Sequence, residues 1–322
     1  MARARPGTIN HQDVPVEHYF AGNPFDRGEA QRRDAGWLDN ARRDPTSRFL
    51  PLHRLQVLVD RNASDGPRLG WAGPELVDRL GWDAPDPVFL GIHEGVAHFA
   101  IDVTASDPGG LGLSGGLVFE EARALAASLP MHETGIIAQA KAQIDWHARH
   151  RFCGVCGAET QPERGGGQRR CRACNAEHFP RTDPVIIALV HDGGDRCLLG
   201  QSRLWGLRGS FYSCLSGFMD HGESIEEAVR REVAEEAGIE LAAVRYHSSQ
   251  PWPFPSSLMI GCHALAATTD IHFDAEEMTD VRWFTRDEIQ AALRGENPAL
   301  SVPGKIAIGH WLVKTWADGE AG

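Results

Sequence analysis

Between residue 48 and about 118 the apolar positions come in short runs: Leu55-Gln56-Val57-Leu58-Val59, Val88-Phe89-Leu90-Gly91-Ile92, and Val96 to Val103, punctuated by Gly, Pro and Asp. Runs of this length between turn-formers predict strands, so this stretch reads as a mainly β module. The texture changes near residue 118. From there to 149, Ala, Leu, Glu, Gln and Lys dominate, which predicts helix, broken or kinked near Pro130. A Cys-bearing segment fills 150–178. The unbroken apolar run Val185-Ile186-Ile187-Ala188-Leu189-Val190 then predicts a strand buried on both faces, and strand and helix patterns alternate to about residue 315. The first 30 or so residues are polar and turn-rich and are expected to be partly mobile. No internal repeat is visible along the chain.

Composition narrows the class. With 322 residues, 42% hydrophobic and 24% charged, the chain has the profile of a soluble globular protein of two or three domains. The formal net charge of −12 argues against broad electrostatic binding to nucleic acid or anionic membrane, while leaving room for a local basic cleft. No apolar run approaches the roughly 20 residues of a membrane span. The opening MARARPGTINHQD lacks an apolar stretch of the secretory kind, so the expectation is a cytoplasmic protein without a membrane partner.

Four of the seven cysteines fall in two C-x-x-C pairs, Cys153/Cys156 and Cys171/Cys174, with 14 residues between the pairs. Each pair sets two thiolates on one tight knuckle, and two knuckles offer the four ligands of tetrahedral Zn²⁺ with no open position, a structural role. Two redox dithiols are the alternative, without the surrounding βαβ pattern such motifs use. Arg164, Arg169, Arg170 and Arg172 in the same segment could supply a local basic surface.

Residues 217–239 carry the densest chemistry. Ser224 followed by Glu227 is a capping box, Gly238 stands where a helix would end, and Ile225, Val229, Val233 and Ala237 form an apolar stripe between them. On that helix Glu232, Glu235 and Glu236 share one side, at the edge of the stripe. Carboxylates so crowded repel one another unless a cation intervenes, and an all-oxygen set favours Mg²⁺ or Mn²⁺, ions that polarise phosphoryl oxygens and activate water. Arg231 can pair with Glu227 and Glu235 and hold a ligand carboxylate in place. A solvated Glu/Arg face is the plain alternative for the helix taken by itself.

The full spacing decides further. Gly217, five residues, Glu223, seven residues, then Arg231-Glu232-Val233-x-Glu235-Glu236-x-Gly238-Ile239 resembles the Nudix box at every defined position. That resemblance implies an α/β/α sandwich and hydrolysis of a nucleoside diphosphate linked to another group. It also implies divalent metal on Glu232, Glu235, Glu236 and the main-chain carbonyl of Ser216, with Glu223 and Arg231 as a supporting ion pair.

A second motif, Ser249-Gln250-Pro251-Trp252-Pro253-Phe254-Pro255-Ser256-Ser257, forbids helix, and its aromatics can stack on a nicotinamide or adenine ring while Gln250 and the serines offer hydrogen bonds. It is similar to the signature of NADH pyrophosphatases, whose zinc ribbon and extra N-terminal domain this chain also resembles. The implied organisation is an N-terminal Nudix-like α+β domain over 1–118, a helical linker over 119–149, a zinc ribbon over 150–178 and a catalytic Nudix domain over 179–322. The same resemblance implies substrate contacts from Gln250 to Ser257, a stacking Phe218, Phe179 where bacterial relatives often have Tyr, and pocket positions Met259 and Ala307. It implies a late glutamate, Glu277 in preference to Glu276, as metal ligand or base. The implied substrates are NADH and NAD, with NAD-capped RNA as alternative, and the implied assembly is a homodimer. A non-catalytic nucleotide-binding regulator is the rival from another class.

Overall fold

The computed structural model describes residues 18–80, 86–107, 111–112, 115–203 and 209–320. The start of the chain expected to be mobile lies, for residues 1–17, outside them. The chain divides into two compact units, Met1–Arg181 with Pro253–Pro255, and Thr182–Trp252 with Ser256–Gly322.

The first unit contains, in order, α1 (Glu29–Arg32), α2 (Ala35–Arg43), β1 (Arg48–His53), β2 (Gln56–Asp60), β3 (Arg68–Leu69), α3 (Glu75–Leu80), β4 (Val88–His93), β5 (Val96–Asp102), β6 (Leu117–Glu120), α4 (Ala122–Leu125) and α5 (Met131–Arg149). Its sheet runs β3-β2-β1-β5-β4, with β6 on β2 and with β1 and β5 parallel. Alternate residues serve opposite faces. Leu50 and Leu52 pack with Ile136, Ile137 and Ile144 of α5, while Phe49, Phe89 and Phe99 pack with Leu38 of α2 and Leu76 of α3. The module expected to be mainly β thus has helices on both faces of its sheet. The helix expected from 118 begins as strand β6, because Leu117-Val118-Phe119 pairs with β2, and is interrupted at Pro130, which opens α5 at a position where its missing N–H costs nothing.

The zinc segment adds β7 (Thr160–Glu163), β8 (Gln168–Cys171) and β9 (Glu177–His178) in one small antiparallel sheet. It is tied to α5 through His147. The buried Arg169 guanidinium lies 2.9 Å from Nδ1, and Nε2 lies 2.9 Å from the carbonyl oxygen of Gly166. Since arginine can only donate, Nε2 carries the proton and donates to Gly166. The neutral ring is thereby satisfied at both nitrogens, and burial pushes its pKa down to about 4.

The second unit holds β10 (Asp183–His191), β11 (Arg196–Ser202), β12 (Leu215–Phe218), α6 (Ile225–Ala237), β13 (Leu241–Trp252), β14 (Ser257–Ala266), β15 (Met278–Thr285), α7 (Arg286–Leu293) and α8 (Ile308–Ala317). Its sheet runs β13-β14-β10-β11-β15, with β12 against β10 and with β10 and β14 parallel. Ile186, Ala188 and Val190 of β10 face the cluster containing Val229 and Val233 of α6, whereas Ile187 and Leu189 face Ile308, Leu312 and Trp316 of α8. Burial on both faces explains why this strand reads as an unbroken apolar run, and the layers are helix, sheet, helix.

The two sheets share one strand order. In each, a hairpin (β1–β2, β10–β11) is joined in parallel by a late strand (β5, β14) whose partner (β4, β13) forms one edge, while a final strand (β6, β15) lines the hairpin's second strand. The repeat is invisible along the sequence because strand order is carried by pairing, not by side-chain identity.

Candidate active site and zinc centre

Helix α6 is fixed at both ends by local chemistry. Ser224 and Glu227 form the reciprocal capping box, and Gly238 closes the helix at φ 70°, where a Cβ would meet the backbone oxygen of His272 at 2.8 Å. Ala228, Val229, Val233 and Ala237 are fully buried against the sheet. This anchoring sets the three glutamates differently. Glu232 (9% exposed) and Glu236 (7%) lie at the sheet side, while the Glu235 side chain is 55% exposed.

Strand β12 receives the two buried carboxylates. Glu236 Oε2 accepts the Ser216 N–H at 3.1 Å. The Glu232 carboxylate lies across Gly217, in space that any side chain on that residue would occupy. Arg231 ties the group together. Its guanidinium grips both oxygens of Glu223 at 2.6 and 2.9 Å, donates to Glu232 at 2.8 Å and to Glu235 at 3.0 Å, and reaches the Phe218 carbonyl at 2.9 Å. The pairing considered with Glu227 is not formed, because that carboxylate accepts the Ser224 N–H at 2.7 Å. Arg231 and the Asp220 N–H hold the Glu223 carboxyl down to about 2, and the three carboxylates push the Arg231 pKa up. Burial raises Glu232. Burial, then the charge of Glu232, pushes Glu236 up to about 8. The exposed Glu277 stands close enough for its charge to raise both Glu232 and Glu236, whereas Glu276 figures in neither shift. Two buried carboxylates with raised proton affinity, offering oxygen donors only, suit a hard divalent cation.

The Pro-aromatic motif divides. Gln250, Pro251 and Trp252 end β13, and Trp252 pairs across to Ser257 on β14, leaving Pro253–Ser256 as the turn. Gln250 is fully buried; its amide donates to the Ile306 carbonyl at 2.7 Å and accepts the Ile308 N–H at 2.8 Å. Both atoms of the amide that was expected to meet a substrate are thus spent on protein, and residue type alone could not tell which face of the strand it occupies. Phe254 belongs to the first unit and packs on its core. Ser256 donates to Asp183 at 3.3 Å. Met259 lies partly buried against the core beside α8, and Ala307 is the N-cap residue of that helix. Phe218, beside the glutamates, is 62% exposed; Phe179, on the first unit, is 60% exposed.

The four cysteine sulfurs lie within 4.8 Å of one another, and among the described residues no other group brings three or more such ligand atoms together. Cys153 Sγ to Cys174 Sγ is 3.6 Å and Cys156 Sγ to Cys171 Sγ 3.5 Å, close to the ~3.8 Å edge of a tetrahedron with Zn–S bonds of about 2.3 Å. Main-chain N–H groups of Cys174 and Ala173 help to lower the Cys171 thiol. His178, which the spacing of cysteines did not single out, sets Nε2 3.3 Å from Cys153 Sγ; its place on β9, just past the second knuckle, is the signal that could have found it. The arginines of this segment are largely committed: Arg164 to Glu29, Arg169 to Thr160 and His147, Arg170 to Glu163 and Glu177, and Arg172 to Gln161. Among the described residues, no helix is long and apolar enough to cross a membrane.

Comparison with known proteins covers both units. The NUDIX domain family matches residues 181–302, the NADH pyrophosphatase-like rudimentary NUDIX domain matches 46–146, and the NADH pyrophosphatase zinc ribbon domain matches 148–179. The chain is 33% identical to the NAD-capped RNA hydrolase NUDT12 of Homo sapiens, across 97% of this chain and 76% of that protein. It is 36% identical to the NAD-capped RNA hydrolase NudC of Mycobacterium bovis, across 92% and 93%. A crystal structure of a NUDIX hydrolase from Nitrosomonas europaea aligns at 20% identity and TM-score 0.42, over 52% of this chain and 90% of that one.

Proposed function

The chain belongs to the Nudix hydrolases, in the zinc-ribbon NADH pyrophosphatase branch, and on that premise we propose that it cleaves the diphosphate of NADH or NAD to AMP and the (reduced) nicotinamide mononucleotide. Water adds across the P–O–P anhydride, one phosphorus taking its oxygen and the other keeping the bridging oxygen. The observation that carries the reading is the pair of buried carboxylates, Glu232 and Glu236, seated against Gly217 and Ser216 beside an exposed aromatic, Phe218.

Glu232, Glu235, Glu236 and Glu277 would offer oxygens to Mg²⁺ or Mn²⁺, drawn in by the ion, since on their own they do not gather as closely as the cysteine sulfurs. Ser216 adds its carbonyl, because a strand residue sends its N–H and C=O to the same edge and its N–H already meets Glu236. A bound cation of this kind neutralises charge on the diphosphate and activates water. Arg231 keeps Glu232 and Glu235 in register through fixed donors. Phe218 and Trp252 supply flat faces for the bases.

The same linkage joins an NAD cap to RNA, and the names of the two relatives favour that substrate as the second reading. The ion pairing of the zinc-segment arginines speaks against extended contacts to RNA from that surface. The reading further includes a cytoplasmic homodimer, checked by sedimentation of the full chain. The deciding experiment incubates the protein with NADH, NAD and NAD-capped RNA, with Mg²⁺ or Mn²⁺, and resolves the products by mass. AMP plus the mononucleotide, or RNA with a 5′ monophosphate, is the expected result; no cleavage of any of the three sinks the proposal.

A further inference from the structure

Glu277 is exposed, yet the main chain that carries it is held from three sides, all within the second unit. Asp274 opens the turn. Its Oδ1 accepts the Glu276 N–H at 2.7 Å, and its carbonyl oxygen accepts the N–H groups of Glu277 and Met278 at 3.3 and 2.8 Å. Arg203, just past the end of β11, closes the turn. Its main-chain N–H donates to the Glu277 carbonyl at 2.9 Å, and its side-chain Nε donates to the Ala275 carbonyl at 2.6 Å. The ionised donor makes the second of these bonds the stronger kind.

Met278 supplies the third hold. Strands β11 and β15 pair Gln201 with Asp280 and Ser202 with Met278, so Thr279 is an extra residue, a bulge whose hydroxyl donates to the Gln201 carbonyl at 3.1 Å. In a regular strand, residues three apart point to opposite faces. The bulge puts Met278 and Val281 into the same core, the one that Val229 and Val233 of α6 also enter. There Met278 lies over Gly200: a Cβ on that glycine would meet Met278 Cε at 2.3 Å and Leu215 Cδ2 at 2.9 Å. Leu215 is followed by Ser216, whose N–H meets Glu236. Met278 is thus seated beside the strand that receives the buried carboxylates, and the charge of Glu277, one residue earlier, reaches both Glu232 and Glu236.

We propose that Arg203 and Asp274 are positioning residues for Glu277: they fix the turn 274–278 so that only the Glu277 side chain need move to bring its carboxylate onto a cation held by Glu232 and Glu236. The inference deepens the proposed function and rests on its assignment of Glu277 to the metal. Neither residue touches the metal or the diphosphate; both act through Glu277.

Mn²⁺ binding by the zinc-loaded, full-length protein without nucleotide tests this, with free Mn²⁺ counted by its electron paramagnetic resonance signal. Glu277→Gln, Arg203→Ala and Asp274→Ala are each expected to weaken binding about tenfold, as loss of a group that holds a ligand does. Asp274→Asn keeps an oxygen that accepts the Glu276 N–H and binds as wild type. Arg203→Ala added to Glu277→Gln weakens binding no further, because both act on one contact. In NADH turnover at limiting Mn²⁺, Arg203→Ala lowers kcat about tenfold, recovers at saturating Mn²⁺, and keeps KM within about twofold. Wild-type Mn²⁺ affinity in Arg203→Ala and Asp274→Ala, full additivity with Glu277→Gln, wild-type affinity in Glu277→Gln, or a wild-type protein that takes up no Mn²⁺ overturns the proposal. So does a raised KM with unchanged Mn²⁺ affinity in Arg203→Ala, which would place that side chain on the diphosphate. Should Arg203→Ala fail to fold, Asp274→Ala against Asp274→Asn decides alone. A wild-type protein that binds Mn²⁺ but cleaves neither NADH, NAD nor NAD-capped RNA removes the proposed function and leaves the binding results to stand for the positioning.

Discussion

The Glu232 carboxylate lies over Gly217, filling the space a side chain there would need. Gly217 has no positive φ, so its requirement for glycine is one of room. Gly217→Ala must push Glu232 off β12. The expected outcome is a loss of about 10–100-fold in kcat/KM, the range seen when the support of a metal ligand is displaced. Zinc content and the capping box of α6 should be unaffected. Steady-state kinetics beside plasma mass spectrometry checks both halves.

Arg231 makes five hydrogen bonds from one planar group. A lysine offers three donors from a single point and cannot reproduce the fork on Glu223. Arg231→Lys is therefore expected to weaken apparent Mn²⁺ affinity about 10–100-fold, with unchanged helix content by circular dichroism. A titration of activity against Mn²⁺ reads the effect; an unshifted midpoint would show that the carboxylates hold their places without it.

Glu236 gives the metal-free protein a pH dependence of definite sign. Its carboxyl is pushed from 4.5 up to about 8 on folding, so between those values the folded chain binds more protons than the unfolded one. Stability then falls as pH rises through that window and stays low above it. Glu236→Gln removes this term: in chelated protein the variant melts higher than wild type at pH 9 and close to it at pH 4.5. Added Mn²⁺ raises the wild-type Tm at pH 9 and not that of the variant. Thermal melts at the two pH values suffice.

The sulfur tetrahedron predicts one zinc per chain. Cys171→Ser loses that ion and unfolds residues 150–178, since a knuckle without metal has no core of its own. Hydrogen exchange should collapse across β7, β8 and β9, while the second unit retains its protection. Retention of zinc by the variant would mean that three sulfurs and His178 suffice.

Gln250 separates a structural from a substrate role. Gln250→Ala leaves the Ile306 carbonyl and the Ile308 N–H without their partner, at a cost of about 2 kcal/mol. A Tm lowered by several degrees, with KM for NADH within about twofold of wild type, is expected.

Much of the site was legible because it is local. The capping box, the stripe from Ile225 to Ala237, the terminal Gly238 and the two cysteine knuckles depend on neighbours within one or two turns of chain. Whatever depends on a distant partner was not. That Gln250 faces α8 follows from which face of β13 it occupies, and that Phe254 meets Phe20 edge-on follows from a fold that brings together distant parts of the chain. Arg231 illustrates the boundary: periodicity offered Glu227 and Glu235, and only Glu235 is paired, because the capping requirement of Ser224 took the Glu227 carboxylate, while the pair with Glu223 was implied by the resemblance of the box.

The recurrence of one strand order in both units separates what this topology needs for packing from what it needs for chemistry. Between β12 and β13 stands a 13-residue helix that aligns carboxylates on successive turns; α3, in the described part of the stretch between β3 and β4, carries no such run of glutamates. The sheet of the first unit closes its cores on both faces nonetheless. The same framework thus appears once with the glutamate-bearing helix and once without such a run of glutamates, so packing and catalysis impose separable demands on this topology.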